Sequence, residues 1–236
     1  MDGAEWISSR GELFLTGTAP YCKASTWYGQ NPHTWSLTGE AWAPQFHVMT
    51  RRPRVAYDED LDRLYTVTKN SVESYDVSNG YAPIDSKSIL SSHNGTADLD
   101  RSGRWLYWTV GHSNQSVRFG RMHVPETGPM GIEESLASVE VGNTMRVNQR
   151  SGRVLFWDGG STVTEYDPIA QSFADIEAVG ETGPPPSSAD GYNYGRWRCF
   201  SAALLNESGA DVSPGGACVA ISHPSDGVWV FKVPES

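Results

Sequence analysis

Long apolar runs, clustered basic residues and helical periodicity are what this sequence has least of, and each shortage removes a class of protein. No stretch approaches the roughly 20 apolar residues that a membrane-spanning helix needs, so membrane insertion is not expected. The opening residues, 1–12, have neither the basic start nor the apolar core of an export signal, and cytoplasmic synthesis without a signal peptide is the expectation. Acidic residues outnumber basic ones, 28 against 18, for a formal charge of −10. Binding to a phosphate backbone relies on clustered Lys and Arg that release counterions, so nucleic acid is not an expected partner. Cysteine is scarce too. Cys22, Cys199 and Cys218 have no metal-binding or redox spacing, and an odd number leaves at least one unpaired. A reducing cytoplasm favours free thiols, although Cys199 and Cys218 could still meet across neighbouring strands.

Motif-borne catalysis is also missing. The 6 histidines form no His-Glu-x-x-His pair, and no Gly-x-Ser-x-Gly elbow occurs. Asp58-x-Asp60-x-Asp62 begins like a calcium loop, but its sixth position is Arg63 where Gly is required and its twelfth is Lys69 where Glu is required. An acidic solvated hairpin is the better reading, and no cofactor or metal is implied. Helix spacing shows only in Met130–Val139, through Ile132, Leu136 and Val139, and a fourth-strand reading competes with it.

What the sequence does have is Gly 24, Pro 14, Trp 9 and Tyr 10, the mixture of breakers and ring-bearing residues that suits many short strands joined by turns. The clearest unit runs from Arg146 to Phe173. It reads as a short strand, a Ser-Gly turn, the strand Arg153–Trp157, Gly159-Gly160, the strand Thr162–Tyr166 and the turn Asp167-Pro168. Weaker copies occur along the chain. Arg104-Trp-Leu-Tyr-Trp matches Arg153-Val-Leu-Phe-Trp, Tyr75-Asp76 matches Tyr166-Asp167, and Trp35 and Trp42 align without gaps on Tyr166 and Phe173. Leu13, Leu64, Leu106 and Leu155 recur at about 42 to 51 residues, the range of a propeller blade.

Five units of about 47 residues fill the chain, which gives an all-β expectation: one five-bladed β-propeller domain over residues 1–236. Its blades lie roughly at 5–50, 51–93, 94–141, 142–183 and 190–236, with the breaker-rich run Gly180–Gly191 before the last. A final blade of three strands would expose an edge, and Ala4–Ser8 is the strand expected to cover it and close the ring, the alternative being that blade one keeps the segment for itself.

The order of apolar run, Gly159-Gly160, Tyr166, six residues and an aromatic resembles a degenerate kelch repeat, with Phe173 where that family usually has Trp. The C-terminal strand Tyr194-Gly-Arg-Trp resembles the one that leads the closing blade of bacterial and phage kelch-like proteins. The usual short hairpin is replaced here by the insertion Leu205–Gly216. Galactose oxidase, the best-known catalytic kelch-like propeller, uses copper with tyrosine and histidine ligands, and no motif of this chain carries those ligands over.

Two aromatic groups stand out as candidate binding residues because they combine ring faces with amides or a guanidinium, as sugar recognition needs. One is Trp27, Tyr28, Gln30, Asn31 and His33, in and beside the long connection Ala19–Pro32. The other is Tyr192, Tyr194, Arg196 and Trp197. Propeller cores consume aromatics between blades, and packing is the competing role for both. Glycosidase propellers place two carboxylates about 5 to 9.5 Å apart, and Asp98 and Asp158 are the first acids to test for that role; turn capping is the plainer role for them, as for Glu165 and Asp190. The favoured function is a non-catalytic binding or scaffold module that contacts a protein or a glycan, for instance as a structural subunit of a phage virion. The alternative is a carbohydrate-active enzyme. The resemblance to phage and bacterial kelch-like chains supplies most of the virion suggestion.

Overall fold

The structure, a computed structural model, describes residues 3–16, 33–36, 41–44, 54–68, 70–90, 95–110, 117–139, 144–157, 162–177, 196–200, 203–221 and 229–233. Among them every regular element is a strand, and no helix occurs. Sheet one holds β1 (Gly3–Ile7), β2 (Glu12–Thr16), β3 (His33–Ser36) and β4 (Ala41–Pro44). Sheet two holds β5 (Arg54–Asp58), β6 (Arg63–Val67), β7 (Ser71–Asp76) and β8 (Ala82–Ser88). Sheet three holds β9 (Ala97–Asp100), β10 (Trp105–Val110), β11 (Val117–His123) and β12 (Glu134–Val139). Sheet four holds β13 (Met145–Val147), β14 (Val154–Phe156), β15 (Thr162–Asp167) and β16 (Ser172–Glu177). Sheet five holds β17 (Arg196–Phe200), β18 (Ala217–Ile221) and β19 (Trp229–Lys232). In every sheet the strands lie side by side in chain order, an antiparallel meander consistent with a propeller-like fold.

Tight turns set the registers. Ile7 faces Glu12, Asp58 faces Arg63, Asp100 faces Trp105 and Asp167 faces Ser172, so four residues form each of these turns. The last residue of each has positive φ: Gly11 at 61°, Asp62 at 50°, Arg104 at 58° and Gln171 at 51°. Aspartates at the strand ends cap these turns, as Asp100 accepts the Gly103 N–H at 3.0 Å and Asp167 accepts those of Ile169 and Ala170 at 2.8 and 3.0 Å.

The chain divides into two compact units, Met1–Gly111 with Gly120–Ser135, and His112–Phe119 with Leu136–Ser236. In the first unit sheet two is covered on both faces. Leu64 and Tyr75 pack with Ile7 and Phe14 of sheet one, while Tyr65 and Val67 pack with Leu99, Leu106 and Trp108 of sheet three. That double burial explains why β6 is a nearly unbroken apolar run, whereas the outer strand β8 is largely exposed. In the second unit Tyr166 and Phe173 are cross-strand partners with ring centroids 4.9 Å apart, and both meet Phe119, at 5.0 and 6.2 Å. This ring pair of sheet four therefore packs against Phe119 of β11. Trp35 and Trp42 stand in the same cross-strand relation in sheet one.

Several expectations change. The N-terminal strand does not add to the last sheet: β1 pairs with β2 over Gly3–Ile7 and Glu12–Thr16. A four-residue turn brings those strands together at far less chain entropy than a ring-closing contact across the whole sequence would cost. The window Met130–Val139 holds no helix, because Glu134–Val139 is β12 and Met130–Glu133 has no regular structure. In place of the expected free thiols, Cys199 and Cys218 face each other in β17 and β18 and form a disulfide. Finally, the insertion Leu205–Gly216 is an ordered hairpin: Leu205 and Asp211 form a bridge, and the Asn206 side chain accepts the N–H groups of Ser208 and Ala210 at 3.0 and 2.9 Å.

Candidate functional site

Strand alternation gives every sheet two distinct ends. The turn end carries the connection from the first strand to the second. The loop end carries the start of the first strand and the connection from the second strand to the third. Within each unit the turn ends are stitched together by polar contacts.

In the first unit, Ser8 donates to Glu59 at 3.0 Å, Ser9 to Asp62 at 2.6 Å, and Arg101 to Glu59 at 2.9 Å. The Tyr57 hydroxyl donates to Asp62 at 2.7 Å, and burial pushes its pKa above the ordinary value. Asp58 is fully buried and pairs with Arg104. Burial works against the charge on Arg104, but the bond and the charge of Asp58 outweigh it and hold its pKa above the ordinary value. The carboxylates of Asp58 and Asp62 are thus spent on arginine, tyrosine and serine. Among the described residues no group of three or more His, Cys, Asp or Glu is gathered as metal ligands would be. In the second unit Arg150 clips the ordered hairpin down, reaching Asp211 at 2.8 Å and the carbonyls of Ser213 and Pro214 at 2.9 and 3.1 Å.

Of the described candidate residues, His33, Asp98 and Arg196 stand at or next to the start of strands at loop ends. Trp27, Tyr28, Gln30 and Asn31 fall in the connection from β2 to β3 and lie outside the described residues. His33 opens β3, where it is the partner of Leu15 and of Pro44. Asp158 follows Trp157 in the connection from β14 to β15, and Tyr192 and Tyr194 precede β17; all three lie outside the described residues. Arg196 opens β17 opposite Ile221. Trp197 is 3% exposed, with its ring 5.9 Å from that of Trp157 and nearly edge-on to it. Asp98, the second residue of β9, lies opposite Tyr107 and is 8% exposed; its carboxylate accepts the Leu99 N–H at 2.9 Å. Glu165 is no turn cap: it sits within β15 and pairs with Arg153.

One juxtaposition was not visible in the sequence. The Trp157–Trp197 contact joins the end of β14 to the start of β17 in the second unit, beside Arg196. Two residues that the sequence did not mark as site candidates hold this pair. Thr144 donates its hydroxyl to the Trp157 carbonyl, and Arg146 donates Nε–H to the Trp197 carbonyl at 2.7 Å. The signal for Trp157 was present as the counterpart of Trp108 in the repeated motif, but Thr144 and Arg146 act through backbone carbonyls, and no side-chain pattern announces that.

A further polar group lies at the loop end of sheet two. Glu73 accepts from Ser71 at 2.9 Å and from the Tyr75 hydroxyl, and Thr68 lies 2.7 Å from Ser71. Burial, followed by the bond to Glu73, drives the Tyr75 hydroxyl well above the ordinary tyrosine value.

No family model matches the chain, and no curated protein does. Solved structures do. An auxiliary nutrient binding protein of Bacteroides thetaiotaomicron matches with a TM-score of 0.60 at 8% identity, over 97% of this chain and 54% of its own. Hydrazine synthase of Kuenenia stuttgartiensis matches with a TM-score of 0.56 at 14% identity, over 94% and 68%. A structural genomics protein of unknown function from Bacteroides thetaiotaomicron gives 0.52 at 15%, over 93% and 52%. The chain spans about half the length of the two Bacteroides proteins. At these identities the likeness is one of fold alone, that of β-propeller-like, all-β proteins.

Proposed function

We propose that the chain is a non-catalytic binding module: a single five-bladed, kelch-like β-propeller that holds a protein or glycan partner at the loop ends of its sheets. The five successive sheets support the blade count. One observation carries the site: His33 and Arg196 open strands at loop ends, and the candidates Trp27–Asn31 and Tyr192–Tyr194 adjoin them in sequence, while the described turn ends are occupied by capped turns and polar stitching. A rigid scaffold presenting variable connections is the usual way for loops to carry binding. The nutrient-binding function of one structural neighbour agrees with this class of activity. A place in a larger assembly such as a phage virion fits as well, since a disulfide persists at a virion surface.

The test is a pair of variants, Trp27→Ala and Tyr28→Ala, read on a glycan panel and on co-purification of protein partners with the tagged chain. Truncating an aromatic anchor costs about 2 kcal/mol or more, so binding should fall about thirtyfold with the circular dichroism unchanged. Variants that fold and bind like the parent would remove the site. Asp98→Asn with Asp158→Asn should leave binding intact. Loss of a hydrolytic activity on a polysaccharide in that double variant would move the reading to a carbohydrate-active enzyme.

A further inference from the structure

Sheet five differs from the others in what sets its register. In sheets one to three the first two strands are joined by turns of four residues, and in sheet four by the short turn that links Val147 to its partner Val154. In sheet five β17 ends at Phe200 and its partner β18 begins at Ala217, so the connection is far longer and cannot by itself fix which residues face each other. What joins the two strands covalently is the Cys199–Cys218 disulfide, between residues that are direct cross-strand partners. The ordered hairpin in the connection is tied to sheet four through Arg150 and to β19's end through the Val233–Gly216 hydrogen bond. Cys199 is partly exposed, and two residues before it on β17 is Trp197, whose ring shares a cluster with Trp157 and Cys218.

We infer that the Cys199–Cys218 pair is a redox latch: near the turn end of sheet five the disulfide holds β17 beyond what the Arg146 bond to Trp197 supplies, and the dithiol state loosens Arg196 and Trp197 at the strand's loop end. The inference rests on the binding role proposed above for that end. Chemically, one thiolate of a small dithiol attacks a protein sulfur to give a mixed disulfide and frees the other protein thiolate. The dithiol's second thiolate then closes its own ring and frees the first. Two electrons pass from dithiol to protein, and the two protein thiolates take up protons. A closed loop of 19 residues restricts the open chain by about a hundredfold, which sets the scale of the effect.

Hydrogen exchange of the full chain, with and without dithiothreitol, tests this. Exchange at 196–200 should rise by about a hundredfold on reduction, with 63–67 of β6 unchanged as the internal control. A Cys199→Ser, Cys218→Ser variant should exchange like the reduced parent and ignore the reagent. No change at 196–200, or an equal rise at 63–67, would overturn the latch, the second result making the disulfide a global staple. Should the double variant fail to fold, the reduced parent decides alone. No ligand is needed, so the latch can fail while binding through Trp27 and Tyr28 stands, and the reverse.

Discussion

Gly120 shows how little tolerance a single position has. A Cβ built there would lie 2.9 Å from Cε2 of Trp108, and that ring is 1% exposed and hemmed in by the core of the first unit. A flexible neighbour would swing away, but a buried indole has nowhere to go. Gly120→Ala should therefore destabilise the protein by about 1–3 kcal/mol, read as a lower urea midpoint at unchanged slope. A midpoint equal to the parent's would mean that the indole can shift. Trp108 itself was legible as part of the repeated Arg-Trp-Leu-Tyr-Trp motif, whereas Gly120 was not, since a close approach between strands depends on register and leaves no trace in composition.

Turns of the same geometry can respond in opposite ways to the same substitution. Gln171 and Arg104 both end four-residue turns with positive φ, 51° and 58°, where a residue with a Cβ is strained. Gln171 is exposed, so Gln171→Gly relieves strain and should raise stability by up to about 1 kcal/mol. Arg104 holds the fully buried Asp58 carboxylate and also donates to the Val124 carbonyl at 3.2 Å. Arg104→Gly relieves the same strain but leaves that carboxylate without its guanidinium, a loss of about 3–5 kcal/mol, and the ion pair should win. Opposite shifts of the two denaturation midpoints check the argument; a stabilised Arg104→Gly would refute it.

The strand pattern itself was largely readable at this scale. Leu13, Leu64, Leu106 and Leu155 are each the second residue of the second strand in their sheets. Their faces were not readable. Leu64 has Tyr75 as its partner on β7, but Leu155 has Glu165, one residue short of Tyr166, and it packs with Trp157 and Trp197 while Tyr166 meets Phe119 on the other side. A shift of one residue turns a strand over, and the longer turn between Val147 and Val154 accompanies it in sheet four. The strand β12 was ambiguous for a related reason: Ile132, Leu136 and Val139 meet a helical spacing by chance, and Ile132 is in fact 84% exposed.

At the scale of the whole molecule, the sheets and their order followed from breakers and ring pairs, while contacts between residues distant in sequence did not. The expected ring closure by β1 gave way to a local hairpin, and the meeting of Trp157 with Trp197 had to be seen in three dimensions. Long-range contacts are set by packing that no short window contains, and the described candidates reflect this: Trp197 is a buried partner of Trp157, whereas His33 and Arg196 open strands at loop ends. The central claim is that the partner sits at those ends. Hydroxyl-radical footprinting of the protein with and without its captured partner tests this directly, because tryptophan and tyrosine in the connections and Ile169 at a turn end, 95% exposed, report on opposite ends of their sheets. Protection of Trp27, Tyr28, Tyr192 and Tyr194 with Ile169 unprotected is the predicted result; protection of Ile169 with those four rings as reactive as in the free protein would contradict it.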